Sequence, residues 1–199
     1  MQSPLPPAFP PEEIDLDFTG VFNLKDLRPE PPPLPKPAKP RPIPKEFMIG
    51  AKTLLKNNYF VNMTRPRPTR VVDPAKTTIL LVDDDTTTRN VLGMILSRSE
   101  GYQIRLASDV NTFVLALQKR PLPDVVILDV ELPGKVSGFK ILAKIRAHPS
   151  IRNLPVIIFS GHAEPADLQQ GIALGADAYL SKPAKVEAIL ASVKAVLGG

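Results

Sequence analysis

A doubly wound α/β domain on a five-stranded parallel sheet is the fold class predicted for residues 77 to 199, and three observations predict it. First, short runs rich in valine, isoleucine and leucine recur at residues 78–82, 125–128 and 156–159, as expected of strands buried on both faces of a parallel sheet. Second, stretches with apolar residues at helical spacing separate them, so strand and helix alternate five times. Third, each run gives way to polar residues and then to turn or capping chemistry. Right-handed crossovers then place helices on both faces of the sheet.

In chain order, the first strand is Thr78-Ile79-Leu80-Leu81-Val82 and ends in Asp83, Asp84 and Asp85. Thr86, Thr87 and Thr88 offer caps to a helix whose apolar face is marked by Val91, Leu92, Met94 and Ile95, with Gly101 as its stop. The second strand covers Gln103 to Leu106. Its helix runs from about Asp109 to Lys119 with Val110, Phe113, Val114 and Leu117 inward, closed by Pro121 and Pro123. Val125-Val126-Ile127-Leu128 delivers Asp129 to the carboxyl edge of the sheet, where Leu132-Pro133-Gly134 supplies the turn. A third helix, about Ser137 to Ala147, presents Phe139, Ile141, Leu142 and Ile145. The fourth strand ends at Ser160-Gly161 and is followed by a helix from Pro165 to Leu174. Ala178-Tyr179-Leu180 is a short fifth strand ending at Ser181-Lys182-Pro183, and Val186 to Val196 closes the domain.

Ahead of this domain, residues 1 to 76 are of a different kind. Of 24 prolines, 17 precede residue 75, and each removes a backbone donor and fixes its own φ. The extension is therefore expected to be largely disordered, with polyproline II from Glu30 to Pro44 acting as a semi-rigid spacer or docking arm. Phe47 to Met63 alone has enough apolar side chains to pack: helical turns around Leu54 and Leu55, a short strand at Tyr59-Phe60-Val61, and docking on the domain or on a partner. The acidic and apolar alternation of Glu12 to Phe18 suits either a recognition segment or a solvated patch.

The net charge of +5 is concentrated in the extension, which carries 12 basic and 8 acidic side chains. Four dispersed charges along the proline-rich segment, without interleaved aromatics, are a weak nucleic-acid or lipid signal, and direct DNA binding is not expected. With no cysteine, disulfides and thiolate metal sites are excluded. No signal-peptide pattern and no apolar run long enough to span a membrane is present, so a cytoplasmic location is expected.

In a parallel sheet the ends of the first, third, fourth and fifth strands share one edge, which gathers Asp83, Asp84, Asp129, Ser160 and Lys182. Carboxylates brought together repel, by roughly 4 kcal/mol for a pair 4 Å apart at an effective dielectric near 20. They call for a cation, and all-oxygen ligation favours Mg²⁺ with an open face for a phosphoryl oxygen. Lys182 and the Ser160 hydroxyl would hold that phosphoryl group, leaving Asp129 as the nucleophile candidate. A nucleotide-binding enzyme is disfavoured, because the first strand–helix turn is Asp-rich and lacks a glycine fingerprint.

These same motifs, Ile79 to Asp85, Leu128-Asp129 to Gly138, Phe159-Ser160-Gly161 and Gly175 to Pro183, resemble the receiver domain of two-component response regulators, which has a flavodoxin-like fold. The resemblance implies that Asp129 accepts phosphate from a histidine kinase or phosphotransfer protein. It implies that Asp84 binds Mg²⁺ directly, Asp83 largely through water, and the Glu131 backbone carbonyl adds a ligand beside Asp129. It further implies that Ser160 and Lys182 bind the phosphoryl oxygens, that Tyr179 together with Ser160 switches with the state of the site, and that Lys182-Pro183 is cis. Glu131 and His162 fall where the family tunes phosphoryl lifetime. The interval from Pro133 to Gly138 is one residue longer than the commonest family spacing.

The expected function is that of a stand-alone phosphoacceptor in a phosphorelay, with output by protein contact, since no output domain is expected after Gly199. It is not expected to be an enzyme beyond catalysing its own phosphorylation and dephosphorylation. The downstream protein is left unnamed, with the extension as one route to it. A phosphorylation-independent scaffold on the same fold is the alternative.

Overall fold

The computed structural model describes residues 52–54, 56–62, 73–133, 136–162 and 164–198. The chain divides into two units, Met1–Pro31 and Pro32–Gly199, and every described residue belongs to the second. The expectations for the acidic start and for the proline-rich stretch lie outside the described residues.

The elements are β1 (Tyr59–Val61), a single 3-10 turn (Pro74–Lys76), β2 (Thr78–Val82), α1 (Thr86–Glu100), β3 (Gln103–Ala107), α2 (Val110–Gln118) and β4 (Val125–Asp129). They continue with β5 (Glu131–Leu132), β6 (Val136–Ser137), α3 (Gly138–Ala147), β7 (Val156–Ser160), α4 (Pro165–Ala173), β8 (Ala178–Ser181) and α5 (Val186–Leu197). The main sheet runs β1-β8-β7-β4-β2-β3. Its five strands from β3 to β8 are parallel, in the flavodoxin-like order that leaves a switch point where the strand order reverses.

The sheet has one strand more than residues 77 to 199 predict. β1, from the extension, adds antiparallel to the outer edge of β8 with Tyr59 opposite Leu180, Phe60 opposite Tyr179 and Val61 opposite Ala178. The physical reason is that β8 would otherwise present unpaired N–H and C=O groups along an apolar strand, and covering such an edge removes the liability. Tyr59 and Val61 pack against the core cluster, and Leu54 just ahead of them is fully buried. The apolar residues of this segment thus dock on the domain.

Every residue of β2, β4 and β7 is buried, as continuous apolar strands covered on both faces require. From α1 the core takes Leu92 and Leu96. Val91 and Met94, expected on the apolar face, are instead 45% exposed, because Leu92 and Leu96 are one turn apart on the buried face and the other two point away from it. The cap of α1 also differs from expectation: the Asp85 side chain accepts from Thr87 N and Thr88 N, and Thr88 Oγ1 donates to it as well. Those donors hold the Asp85 carboxyl below its ordinary value, the Thr88 hydroxyl most of all. Asp85 is thereby spent on the helix rather than on the strand-end cluster. Among the described residues, no helix is long and apolar enough to cross a membrane.

Candidate phosphoryl-transfer site

The carboxyl ends of β2, β4, β7 and β8 meet as parallel pairing dictates, and they bring the expected polar residues together. Asp83 and Asp129 are buried at 2% and 4% exposure, while Asp84 is exposed. One carboxylate oxygen from each lies within 4.8 Å of the other two. Lys182 Nζ sits between two of them, 2.7 Å from Asp83 Oδ2 and 2.9 Å from Asp129 Oδ2, and 4.8 Å from the centroid of the Phe159 ring. One ammonium thus serves two buried carboxylates, with a third alongside.

The electrostatics follow from that count. Burial pushes the Asp129 carboxyl up from its ordinary value, and the Asp83 charge adds to the effect against the pull of Lys182. Burial also opposes the Lys182 ammonium, but its hydrogen bonds to Asp83 and Asp129 outweigh burial and its pKa is raised. The donor set fits a hard divalent cation: carboxylate oxygens from three residues, converging, with Asp84 on the water side to admit an ion that keeps part of its hydration. Mg²⁺ would be held by Asp83, Asp84 and Asp129, where it would supply a positive charge open to a further oxygen ligand.

Local sequence builds the rim. Glu131 N donates to Asp129 Oδ1 at 3.3 Å, which sets the Glu131 main chain beside that carboxylate. The lengthened interval after Pro133 is folded: β5 and β6 pair antiparallel, Glu131 opposite Ser137 and Leu132 opposite Val136, with residues 134 and 135 outside the described set. α3 then starts so close to β4 that a Cβ on Gly138 would lie 2.0 Å from the Asp129 carbonyl oxygen. Gly138 N donates to Val130 O at 2.8 Å in the same approach. Only glycine fits there. Its presence in the motif was legible in the sequence, whereas its reason, a helix N-terminus laid against β4, was not.

Ser160, fully buried, accepts on Oγ from His162 N at 3.0 Å, and its carbonyl accepts from Lys182 N at 2.8 Å. Tyr179 is fully buried, its hydroxyl donating to His162 O at 2.8 Å, and burial pushes its phenol up to about 12. Its ring fits because α4 carries Gly171, where a Cβ would come within 3.2 Å of Tyr179 Cδ2. His162 Nε2 lies 2.9 Å from Glu131 Oε1, so two exposed side chains join across the mouth of the site. Lys182-Pro183 is cis, as expected, and Arg120-Pro121 is cis as well.

Sequence reasoning missed a groove beside Lys182. Val91, Ile95, Phe159, Pro183, Ala184 and Ile189 line most of its roughly 420 Å³, between α1 and the start of α5. The sequence carries no separate signal for it, since Val91 and Ile95 read there as part of one core-facing stripe.

The response regulator receiver domain model matches residues 79–194. The transcriptional regulatory protein GltR of Pseudomonas aeruginosa is 40% identical over 119 residues, covering 60% of this chain and 48% of GltR. The phosphate regulon transcriptional regulatory protein PhoB of Escherichia coli is 32% identical over 119 residues, 60% of this chain and 51% of PhoB. The chain thus spans about half the length of the curated relatives it matches. Among solved structures, the chemotaxis response regulator CheY4 of Vibrio cholerae is similar at 29% identity and a TM-score of 0.55, over 61% of this chain and 98% of that one. With the family model covering more than half of its residues, and the flavodoxin-like strand order beneath them, the chain belongs to the response regulator receiver domain family.

Proposed function

We propose that the protein is a phosphoacceptor whose Asp129 takes a phosphoryl group from a phosphohistidine on a histidine kinase or phosphotransfer protein. The observation that carries the reading is Lys182 Nζ held 2.7 Å from Asp83 and 2.9 Å from Asp129 at the buried end of the sheet. A carboxylate is a competent nucleophile only where it stays ionised, and the Lys182 ammonium works against burial to keep it so. In the transfer an Asp129 carboxylate oxygen attacks phosphorus as the phosphorus–nitrogen bond of the donor breaks. The leaving imidazole keeps the bonding electron pair and takes up a proton, and Asp129 becomes an acyl phosphate.

Each neighbour has a task in that step. The Lys182 ammonium lies within reach of the transferred oxygens, and the Ser160 hydroxyl, which accepts from His162 N, keeps its own proton to donate to one of them. Asp84, Asp129 and the Glu131 backbone carbonyl would hold Mg²⁺ directly, with Asp83 largely through water, and the ion would supply positive charge to the transferred oxygens. The groove along Val91, Ile95 and Ala184 runs up to Lys182, offering a donor protein an apolar footing next to the acceptor. Output passes to a further protein by contact, without direct DNA binding by residues 77 to 199, and the site acts on its own phosphoryl group rather than on a separate substrate.

Incubation with Mg²⁺ and a small phosphodonor, followed by intact-mass analysis, is the test. One acid-labile phosphate adduct is expected on the wild type and none on Asp129→Ala. Absence of the adduct from the wild type, or an equal adduct on the variant, overturns the reading in favour of a phosphorylation-independent scaffold.

A further inference from the structure

The extension contributes an element bonded along the strand that ends at the site. On one side of β1, Ser181 N donates to Asn58 O at 2.9 Å and Ser181 Oγ to the same oxygen at 3.2 Å. Asn58 Nδ2 donates to Ser181 Oγ at 3.2 Å and to Pro183 O at 3.4 Å. Residues 181 and 183 flank Lys182, so the Asn58 clasp grips both sides of the residue that bridges Asp83 and Asp129. On the other side, Asn62 N donates to Asp177 O at 2.9 Å and Asn62 Nδ2 to Ala176 O at 3.0 Å. Between the clasps Phe60 lies opposite Tyr179, whose hydroxyl is tied through His162 to Ser160.

We propose that residues 58–62 form a detachable strap whose grip on β8 is set by the chemical state of Asp129, making the extension the element that reads out phosphorylation. The proposal rests on the phosphoacceptor reading. Three strand residues, two asparagine clasps and the packing of Leu54, Tyr59 and Val61 hold this edge piece, and such short edge pieces open below the free energy of global unfolding. Asn58 also sits at φ 65, a left-handed conformation that asparagine tolerates better than most residues. The docked strap coexists with Lys182 spanning two carboxylates. A phosphoryl group on Asp129 competes for that ammonium and for the Ser160 hydroxyl. Both responses pass into the main chain of residues 181 to 183, where the Asn58 hydrogen bonds lie. Phosphorylation therefore loosens the strap, and by linkage a loosened strap must tighten binding at Asp129 by the same factor.

The test uses the full chain, with Mg²⁺ present throughout and beryllofluoride as the phosphoryl stand-in. Beryllofluoride binding is followed by fluorine NMR and calorimetry, and strap opening by hydrogen exchange of residues 59–62. Exchange there should quicken by at least about fivefold on beryllofluoride binding, the lower end of ordinary allosteric coupling, while residues 78–82 of β2 stay unchanged. Asn58→Ala, which lies outside the acceptor machinery, should quicken the same exchange and tighten beryllofluoride binding, by no more than the factor with which beryllofluoride quickens exchange in the wild type. If wild type binds no beryllofluoride, the phosphoacceptor reading itself falls and the strap proposal with it. If beryllofluoride binds while exchange at residues 59–62 is unchanged or slowed, or if Asn58→Ala leaves that exchange unmoved or weakens beryllofluoride binding, the strap proposal alone is overturned.

Discussion

Two ion-pair clusters sit at opposite ends of the same strands. Ahead of β7 and β8, Arg146 donates through Nε to Gly175 O at 2.8 Å, through Nη1 to Arg152 O and Leu154 O at 3.0 and 2.8 Å, and through Nη2 to Asp177 Oδ2 at 2.8 Å. Asp177 Oδ2 accepts from Val156 N as well. Among the described residues one cation here pairs with one anion, and main-chain groups hydrogen-bond to both. Past the other ends of these strands, Lys182 meets two carboxylates with Asp84 beside them. The first cluster is balanced and the second is short of positive charge. That difference separates a pair that holds loops in place from a site that has use for an incoming cation.

Removing the cation from each should expose the contrast. Arg146→Ala leaves Asp177 buried without its guanidinium and should cost about 3–5 kcal/mol in urea unfolding. Lys182→Ala should cost less, since the Lys182 side chain is one-quarter exposed and a loss between that value and the roughly 1 kcal/mol of an exposed pair is expected. Mg²⁺ should narrow the gap in stability between the Lys182 variant and the wild type, and should stabilise the Arg146 variant only as much as the wild type, leaving that gap as it was. Equal losses, or an equal narrowing of both gaps with Mg²⁺, would break the comparison.

The charge imbalance has a second consequence, with the sign opposite to that of an ordinary buried pair. Asp129 is pushed up by burial and by Asp83, so the folded state favours its protonated form. The stability tied to this group is therefore fullest below a carboxyl's unfolded value of about 3.9 and is lost as pH rises through the raised folded value. At neutral pH the ionised group is a cost. Asp129→Asn, melted without Mg²⁺, should be more stable by on the order of 1 kcal/mol, a Tm rise of a few degrees. A lower Tm would mean that the Lys182 attraction outweighs burial and that the site is better balanced than its geometry suggests.

Much of this was legible in the sequence. Buried strands declare themselves by composition, so the ends carrying Asp83, Asp129, Ser160 and Lys182 could be placed on one edge from the alternation of strand and helix alone. Tyr59-Phe60-Val61 reads as a strand, but nothing local names β8 as its partner, because pairing across more than a hundred residues is decided by which edge stands open. Arg146 reads as a surface residue on a helix. Its value comes from carbonyls in two loops that only folding brings to it. The three threonines after Asp85 look like caps, yet a carboxylate one residue earlier accepts from two main-chain amides and a hydroxyl at once, and it takes the position. Local preference identified the helix start, and contacts within the same turn chose the residue.

A third pair tests how far the contrast reaches into solvent. His162 and Glu131 meet across the mouth of the site with side chains 59% and 73% exposed, and the hydrogen bond to Glu131 raises the His162 imidazole above its ordinary value. A raised base adds its interaction fully below about pH 6.5, the unfolded value, and loses it as pH rises through the folded value. Water screens so open a pair that its loss should leave the melting curve nearly unmoved. Glu131→Gln should bring the His162 titration, followed by imidazole NMR, back down towards about 6.5. The same imidazole belongs to the residue whose N–H holds Ser160 Oγ and whose carbonyl holds the Tyr179 hydroxyl. A change in phosphoryl uptake on crossing that titration, with the melting curve constant, would therefore be an effect at the site and not on the fold. An unshifted His162 in the wild type would show that the pair does not persist in water.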